Sequence, residues 1–156
     1  MQDMKRRDFL KASTMAAVVT STCLCGLNGC STFTKIGNTL NAKPEALGRK
    51  GDELLIDLSK EPMLGRVGGA VKIKNEHLPK GIIIAHTEEN IYQIASLSCP
   101  HRGVEVEYDH KKQRFECASF GSSTFTLDGR NIGGPAKKPL QTYEARIQGN
   151  ILIIKI

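Results

Sequence analysis

The chain has 156 residues, enough for one domain and a short preceding segment. It has no Trp, 15 Gly and an ordinary apolar content of 40%, which favours a small all-β domain with many turns. The formal net charge of +6 is not gathered in one run and has no aromatic interleaving, which argues against nucleic-acid binding.

The N-terminal segment is read as an address. Lys5-Arg6-Arg7-Asp8-Phe9-Leu10-Lys11 resembles the twin-arginine export consensus, with Phe, Leu and Lys after the arginine pair. The run from Ala12 to Leu27 is mildly apolar, but Ser13, Thr14, Thr20, Ser21 and Thr22 make it too polar for a transmembrane helix. An ordinary amphipathic helix is the alternative. Leu27-Asn28-Gly29-Cys30 resembles a lipobox with an atypical Asn28. On that resemblance Cys30 is the lipidated first residue of a mature chain anchored in a membrane; simple cleavage near Gly29 gives a soluble product instead. Ser31 to Lys50 is polar and reads as a tether, with a short helix over Lys43 to Leu47 as the alternative. The expected organisation is a signal peptide over 1–29, a lipidated N-terminus and tether over 30–50, and a domain over 51–156.

From Gly51 apolar runs alternate with turn residues. Strands are expected at Glu53 to Leu58, Ala70 to Lys74, Ile82 to His86 and Ile91 to Ala95. Val104 to Tyr108 and Gln113 to Cys117 form a hairpin joined at Asp109-His110-Lys111-Lys112. Ser123 to Leu127 runs into the Asp128-Gly129 turn, and Tyr143 to Ile147 pairs with Ile151 to Ile156 around Gln148-Gly149-Asn150. About nine closely spaced strands and no long helix argue for an antiparallel sandwich or barrel.

The five cysteines form two groups: Cys23, Cys25 and Cys30 in the leader, Cys99 and Cys117 in the body. Two body cysteines make one disulfide or half of a metal site, not a disulfide framework. Cys99-Pro100-His101-Arg102-Gly103 places a Cys and a His two apart. Cys117-Ala118-Ser119-Phe120-Gly121-Ser122 supplies the second Cys after the hairpin.

Together with Leu127-Asp128-Gly129-Arg130, Gly134-Pro135-Ala136, Pro139-Leu140 and Tyr143-Glu144, these loops make residues 51–156 resemble the Rieske iron–sulfur domain family. The resemblance implies an antiparallel β-sandwich of three small sheets with two ligand loops at one tip. It also implies a [2Fe–2S] cluster with Cys99 and Cys117 on one iron and His101 on the other. Ser122 would hydrogen-bond a cluster sulfide, and the Gly134-Pro135-Ala136 loop would pack over the cluster region. The implied function is electron transfer with an unidentified redox or envelope partner, on the periplasmic side of a membrane.

The second loop departs from the family pattern. Phe120 stands where the second histidine belongs, and Phe has no lone pair to give a metal. Phe125 follows Gly121 by four residues where the family usually has three, so the loop carries one extra residue. The positions of the inter-loop disulfide found in membrane-bound members correspond to Val104 and Ser119, so that clamp is absent. His110 lies in the distal hairpin turn, too far to complete the site, and serine hydroxyls are poor iron ligands unless deprotonated. Two alternatives follow. One is a clusterless Rieske-fold binding or assembly module with a Cys99–Cys117 disulfide, in which Phe120 plugs the emptied space. The other is a mononuclear site of Cys99, Cys117 and His101 completed by water. No enzyme activity is expected, because no separate catalytic domain is present.

Overall fold

The computed structural model describes residues 38–156. The leader, with Arg6, Arg7 and Cys30, lies outside the described residues.

Among the described residues thirteen strands are present: β1 (Leu40–Asn41), β2 (Leu47–Lys50), β3 (Glu53–Asp57), β4 (Ala70–Asn75), β5 (Leu78–Glu88), β6 (Ile91–Ser96), β7 (Val106–Asp109), β8 (Arg114–Cys117), β9 (Thr124–Phe125), β10 (Asn131–Gly133), β11 (Thr142–Tyr143), β12 (Ala145–Gln148) and β13 (Ile151–Lys155). They form three sheets, in the orders β1-β4-β5-β6-β11, β10-β9-β8-β7 and β12-β13-β3-β2. Every pairing is antiparallel except β1 with β4. The expected all-β architecture of three small sheets is the one observed.

β5 is the spine of the domain. Successive side chains of a strand point to opposite faces, and on β5 both faces are covered. Ile83 and Ala85, with Ala95 and Leu97, pack into one core together with Val106, Phe115, Cys117 and Phe125 from the second sheet. Ile82 and Ile84, with Ile94, pack into another core with Leu54, Ile56, Leu152 and Ile154 from the third sheet. This is why Ile82-Ile83-Ile84-Ala85 reads as an unbroken apolar run and not as an alternation. Each fully buried isoleucine contributes about 1.5–3 kcal/mol.

The structure corrects two boundaries. The segment read as a tether is partly in the fold. β1 pairs with β4, β2 pairs with β3 through Leu47↔Ile56 to Lys50↔Glu53, and Ala46 is buried in a 3-10 turn over Pro44–Ala46. Edge strands with exposed polar residues carry no alternation to announce them, and β2 is exposed along Gly48 to Lys50. The expected strand from Tyr143 to Ile147 is two strands. β11 pairs with β6 in the first sheet, and after Glu144 the chain crosses to pair β12 with β13 in the third.

Candidate metal centre

β6 delivers the chain to Cys99, and a tight turn holds the first loop. The Gly103 N–H donates to the Cys99 carbonyl (2.8 Å) and the Cys99 N–H to the Val104 carbonyl (2.9 Å). Backbone N–H groups of His101 and Arg102 are thereby aimed at the Cys99 sulfur. β7 and β8 form the connecting hairpin, in register from Val106↔Cys117 to Asp109↔Arg114. The second loop then runs between β8 and β9, closed where the Cys117 N–H donates to the Ser123 carbonyl (2.8 Å). The Ala118 N–H donates to the Glu105 carbonyl (2.8 Å) and ties one loop to the other.

The fold brings Cys99 and Cys117 together. Both are buried free thiols in hydrogen-bonding contact, within the core that Phe115 and Phe125 line. The expected Cys99–Cys117 disulfide of the clusterless alternative is not formed. Burial pushes the Cys99 thiol above its ordinary pKa, and the neighbouring Cys117 adds to the rise; the N–H groups of His101 and Arg102 oppose it. A cation would reverse that balance, because a coordinating thiol is deprotonated outright.

His101 is partly buried, and its Nδ1 is buried without a hydrogen-bond partner. A buried ring nitrogen with no partner costs about 1–3 kcal/mol unless something else satisfies it. A metal ion at that nitrogen would do so. Among the described residues no three His, Cys, Asp or Glu side chains gather closely enough to hold a single metal ion.

Phe120 does not plug the site. Its side chain is 67% exposed, so the expectation of an apolar seal over the second loop is overturned. The loop that bears it is short and tied at Cys117 and Ala118, and its next residue, Gly121, is itself exposed. His110 sits at the far end of the β7–β8 hairpin, with Nδ1 3.2 Å from the Tyr108 hydroxyl and 3.0 Å from the Gln113 amide nitrogen. It does not join the ligand loops.

The Gly134-Pro135-Ala136 loop is fastened to the second ligand loop. The Ala136 N–H donates to the Ser123 hydroxyl oxygen (2.9 Å), and the Asn131 amide donates to the Ala136 carbonyl (2.9 Å). Gly134 has φ +83°, and a Cβ there would lie 2.4 Å from the Ser122 carbonyl oxygen, so only glycine fits. Ser122 is partly buried beside it. Three further residues matter in ways that sequence reasoning did not foresee. Ser123, fully buried, is the anchor for the Gly134 loop. Ser119, buried, reaches the Cys117 sulfur at 3.1 Å. Glu105 carries the tie to Ala118 and pairs with Lys72 (3.0 Å) and Lys74. For Ser119 the signal was its spacing of two from Cys117; the other two had no local signal.

This arrangement has known relatives. The Rieske [2Fe–2S] domain model matches residues 64–144, and the chain belongs to that family. The cytochrome b6-f complex iron-sulfur subunit of Chlorobaculum tepidum is 26% identical over 104 residues, covering 67% of this chain and 56% of that protein. This chain thus spans about half the length of that relative. Two solved structures are similar, each with a TM-score of 0.48. The cyanobacterial plasma membrane Rieske protein PetC3 from Synechocystis PCC 6803 is 22% identical, with 56% of this chain and 87% of that one covered. The ferredoxin of carbazole 1,9a-dioxygenase from Nocardioides aromaticivorans IC177 is 13% identical, with 57% and 86% covered.

The donor set fits part of the family's cluster. Cys99 and Cys117 fit the thiolate-bound iron, and the unpartnered Nδ1 of His101 fits one imidazole position of the other iron. Phe120, on the second loop, supplies no donor.

Proposed function

We propose that this protein is an exported electron-transfer domain that holds a [2Fe–2S] cluster through Cys99, Cys117 and His101, with an incomplete fourth position at Phe120. The observations that carry the reading are the meeting of two buried thiols, Cys99 and Cys117, and the unpartnered buried Nδ1 of His101 on the first ligand loop. When bound, such a cluster supplies one-electron chemistry, and imidazole ligation raises its potential relative to an all-cysteine site.

The chain's own residues define the rest. The His101 and Arg102 N–H groups aim at the Cys99 sulfur and favour its thiolate form. Phe115, Phe125 and Val106 exclude water from the thiolate side. The partly buried His101 and exposed Arg102 and Gly103 place the imidazole side at the surface, where an electron has a short path out. Ser122, in the family's serine position, would hydrogen-bond a cluster sulfide.

The leader supports delivery to the periplasmic side of a bacterial envelope by the twin-arginine route, with Cys30 lipidated as a membrane anchor. The partner is an unidentified redox or envelope protein. Iron and acid-labile sulfide, measured together with the visible spectrum after anaerobic purification, test the reading. Two irons and two sulfides per chain are expected. Iron-free, colourless protein from anaerobic cells would reject it and leave the clusterless module.

A further inference from the structure

Three loops meet at one end of the second sheet. The Ala118 N–H donates to the Glu105 carbonyl and ties the first two together, and the Ala136 N–H donates to the Ser123 hydroxyl oxygen and adds the Gly134 loop. Phe120, on the second of them, is the most exposed large apolar side chain among the described residues, and half-exposed Ile132 leads into the third. Arg102, Lys137 and Lys138 are exposed, and the stretches 99–103, 118–123 and 134–140 contain no Asp or Glu. The carboxylates that flank these stretches are already matched: Glu105 pairs with Lys72 and Lys74, and Asp128 has Arg130 beside it. An exposed aromatic ring among cations, with no free acid, is the composition that enters the headgroup region of an anionic bilayer.

The N-terminal side of the domain arrives at the same place. The Thr39 N–H donates to a Glu107 carboxylate oxygen (3.1 Å), and Glu107 stands opposite Glu116, one rung of the hairpin from Cys117. Eight residues, Ser31 to Asn38, separate Thr39 from Cys30, and a chain of that length spans at most roughly 30 Å. We propose that the tip formed by Phe120, Ile132, Arg102, Lys137 and Lys138 rests in the surface of the anionic bilayer that holds Cys30. The inference rests on the lipidated reading of Cys30 and not on a bound cluster. An anchor this close gives the tip a high local concentration at the bilayer, so a contact too weak to hold the protein by itself orients the domain. Phe120 enters the boundary between headgroups and acyl chains. The cations lie in the negative surface potential, which fades within about 10 Å.

The chain has no Trp, so Phe120→Trp places a single fluorophore at the tip. The test uses the full anchored chain in vesicles of equal parts phosphatidylglycerol and phosphatidylcholine. Emission from Phe120→Trp is expected to shift to the blue of the same substitution in the soluble Cys30→Ala chain, and to be quenched by lipids brominated along their acyl chains. Ile147→Trp, on the third sheet, is expected to show neither effect. Arg102→Gln, Lys137→Gln and Lys138→Gln are each expected to lower the inserted-to-withdrawn ratio of the reporter about fivefold, and vesicles of phosphatidylcholine alone should lower it in the same direction. A chain that stays with washed vesicles while Phe120→Trp is neither shifted nor quenched would overturn the inference and leave the lipobox reading standing. Equal quenching of Phe120→Trp and Ile147→Trp would overturn it too, because the bilayer would then have no preference for the tip. Shielding of Phe120→Trp in native membranes but not in vesicles that hold no other protein would assign the tip to a protein partner instead. A full chain that washes off the vesicles overturns the lipobox reading and this inference with it.

Discussion

On the proposed ligand set, Phe120 is the residue at which the site parts from its family: its phenyl ring is exposed and has no electron pair to give a metal. Phe120→His restores the donor type. Alone, or with one residue removed between Gly121 and Phe125, it is expected to raise bound iron and sulfide per chain; equal metal content in both versions would show that Phe120 does not limit assembly. A second residue-scale prediction concerns His86. It is 7% exposed, stacks on Tyr92 with ring centroids 4.4 Å apart, and has a hydrogen-bond partner at neither ring nitrogen. Two unpartnered polar atoms in a core are a standing cost. His86→Phe keeps the stack and removes them, and is expected to raise unfolding stability by about 1–3 kcal/mol, read from the urea midpoint at constant m-value.

At the scale of elements, ion pairs link β4 to Glu105 and Glu107, at the start of the hairpin between the two ligand loops. Lys72, with its side chain 6% exposed, pairs with Glu105 and Glu107, and Lys74 pairs with Glu105. The Lys74 contact, aided by Lys72, holds the Glu105 carboxyl below its ordinary pKa against a partial burial that raises it. Burial alone would lower the Lys72 pKa, but its two carboxylate partners leave it raised. A carboxylate with a depressed folded-state pKa contributes stability above its unfolded value, and that contribution is lost as pH falls through the folded value. The raised lysine contributes below its unfolded value and loses its contribution as pH climbs through the folded one. Stability is therefore expected to fall on acidification below the usual glutamate range and again on strong alkalinisation. Lys72→Met should cost about 1–3 kcal/mol, between the values for exposed and buried pairs, and should flatten the acid limb of a denaturation-versus-pH curve. Gly134→Ala acts on another element. With φ positive and the Ser122 carbonyl in the way, it is expected to cost more than about 1 kcal/mol and to loosen the Gly134 loop from the second ligand loop. Faster loss of iron on dilution into chelator would show that loosening.

Much of this was legible beforehand, and the omissions have physical causes. The first ligand loop and the Gly134 loop were readable through their likeness to the family's motifs. β5 was readable as a strand, though not why its apolar run is unbroken; that needs a third sheet on its far side. β1, β2, β10 and β11 escaped because two to four residues at a sheet edge bury too little to leave a pattern. The exposure of Phe120 escaped for another reason. A phenyl ring is more often inside than outside, and nothing local says that this loop turns it outward.

For the whole molecule, the leader and the domain make separable predictions. If Cys30 carries the anchor, Cys30→Ala is expected to move the mature protein from the membrane pellet to the soluble envelope fraction while iron content stays the same. An unmoved protein would refute the lipobox reading without touching the site. Arg6→Lys with Arg7→Lys is expected to hold the chain in the cytoplasm, and its continued export would refute the twin-arginine route.

β5 also sets how the domain comes apart. Its odd and even residues belong to different cores, with Ile83 in one and Ile82 and Ile84 in the other. Both cores are built against that strand, so its departure exposes both. Slow amide exchange should therefore centre on Ile82, Ile83 and Ile84, whose protons leave only when the entire domain opens, while β10 and β12 at the sheet edges trade theirs in smaller openings. The region around Cys99 and Cys117, hung from one of those cores, inherits the lifetime of the other. A lesion among Leu54, Ile56 and Leu152, on the sheet that does not touch the thiols, should shorten the time the ligand loops stay closed as surely as one beside them.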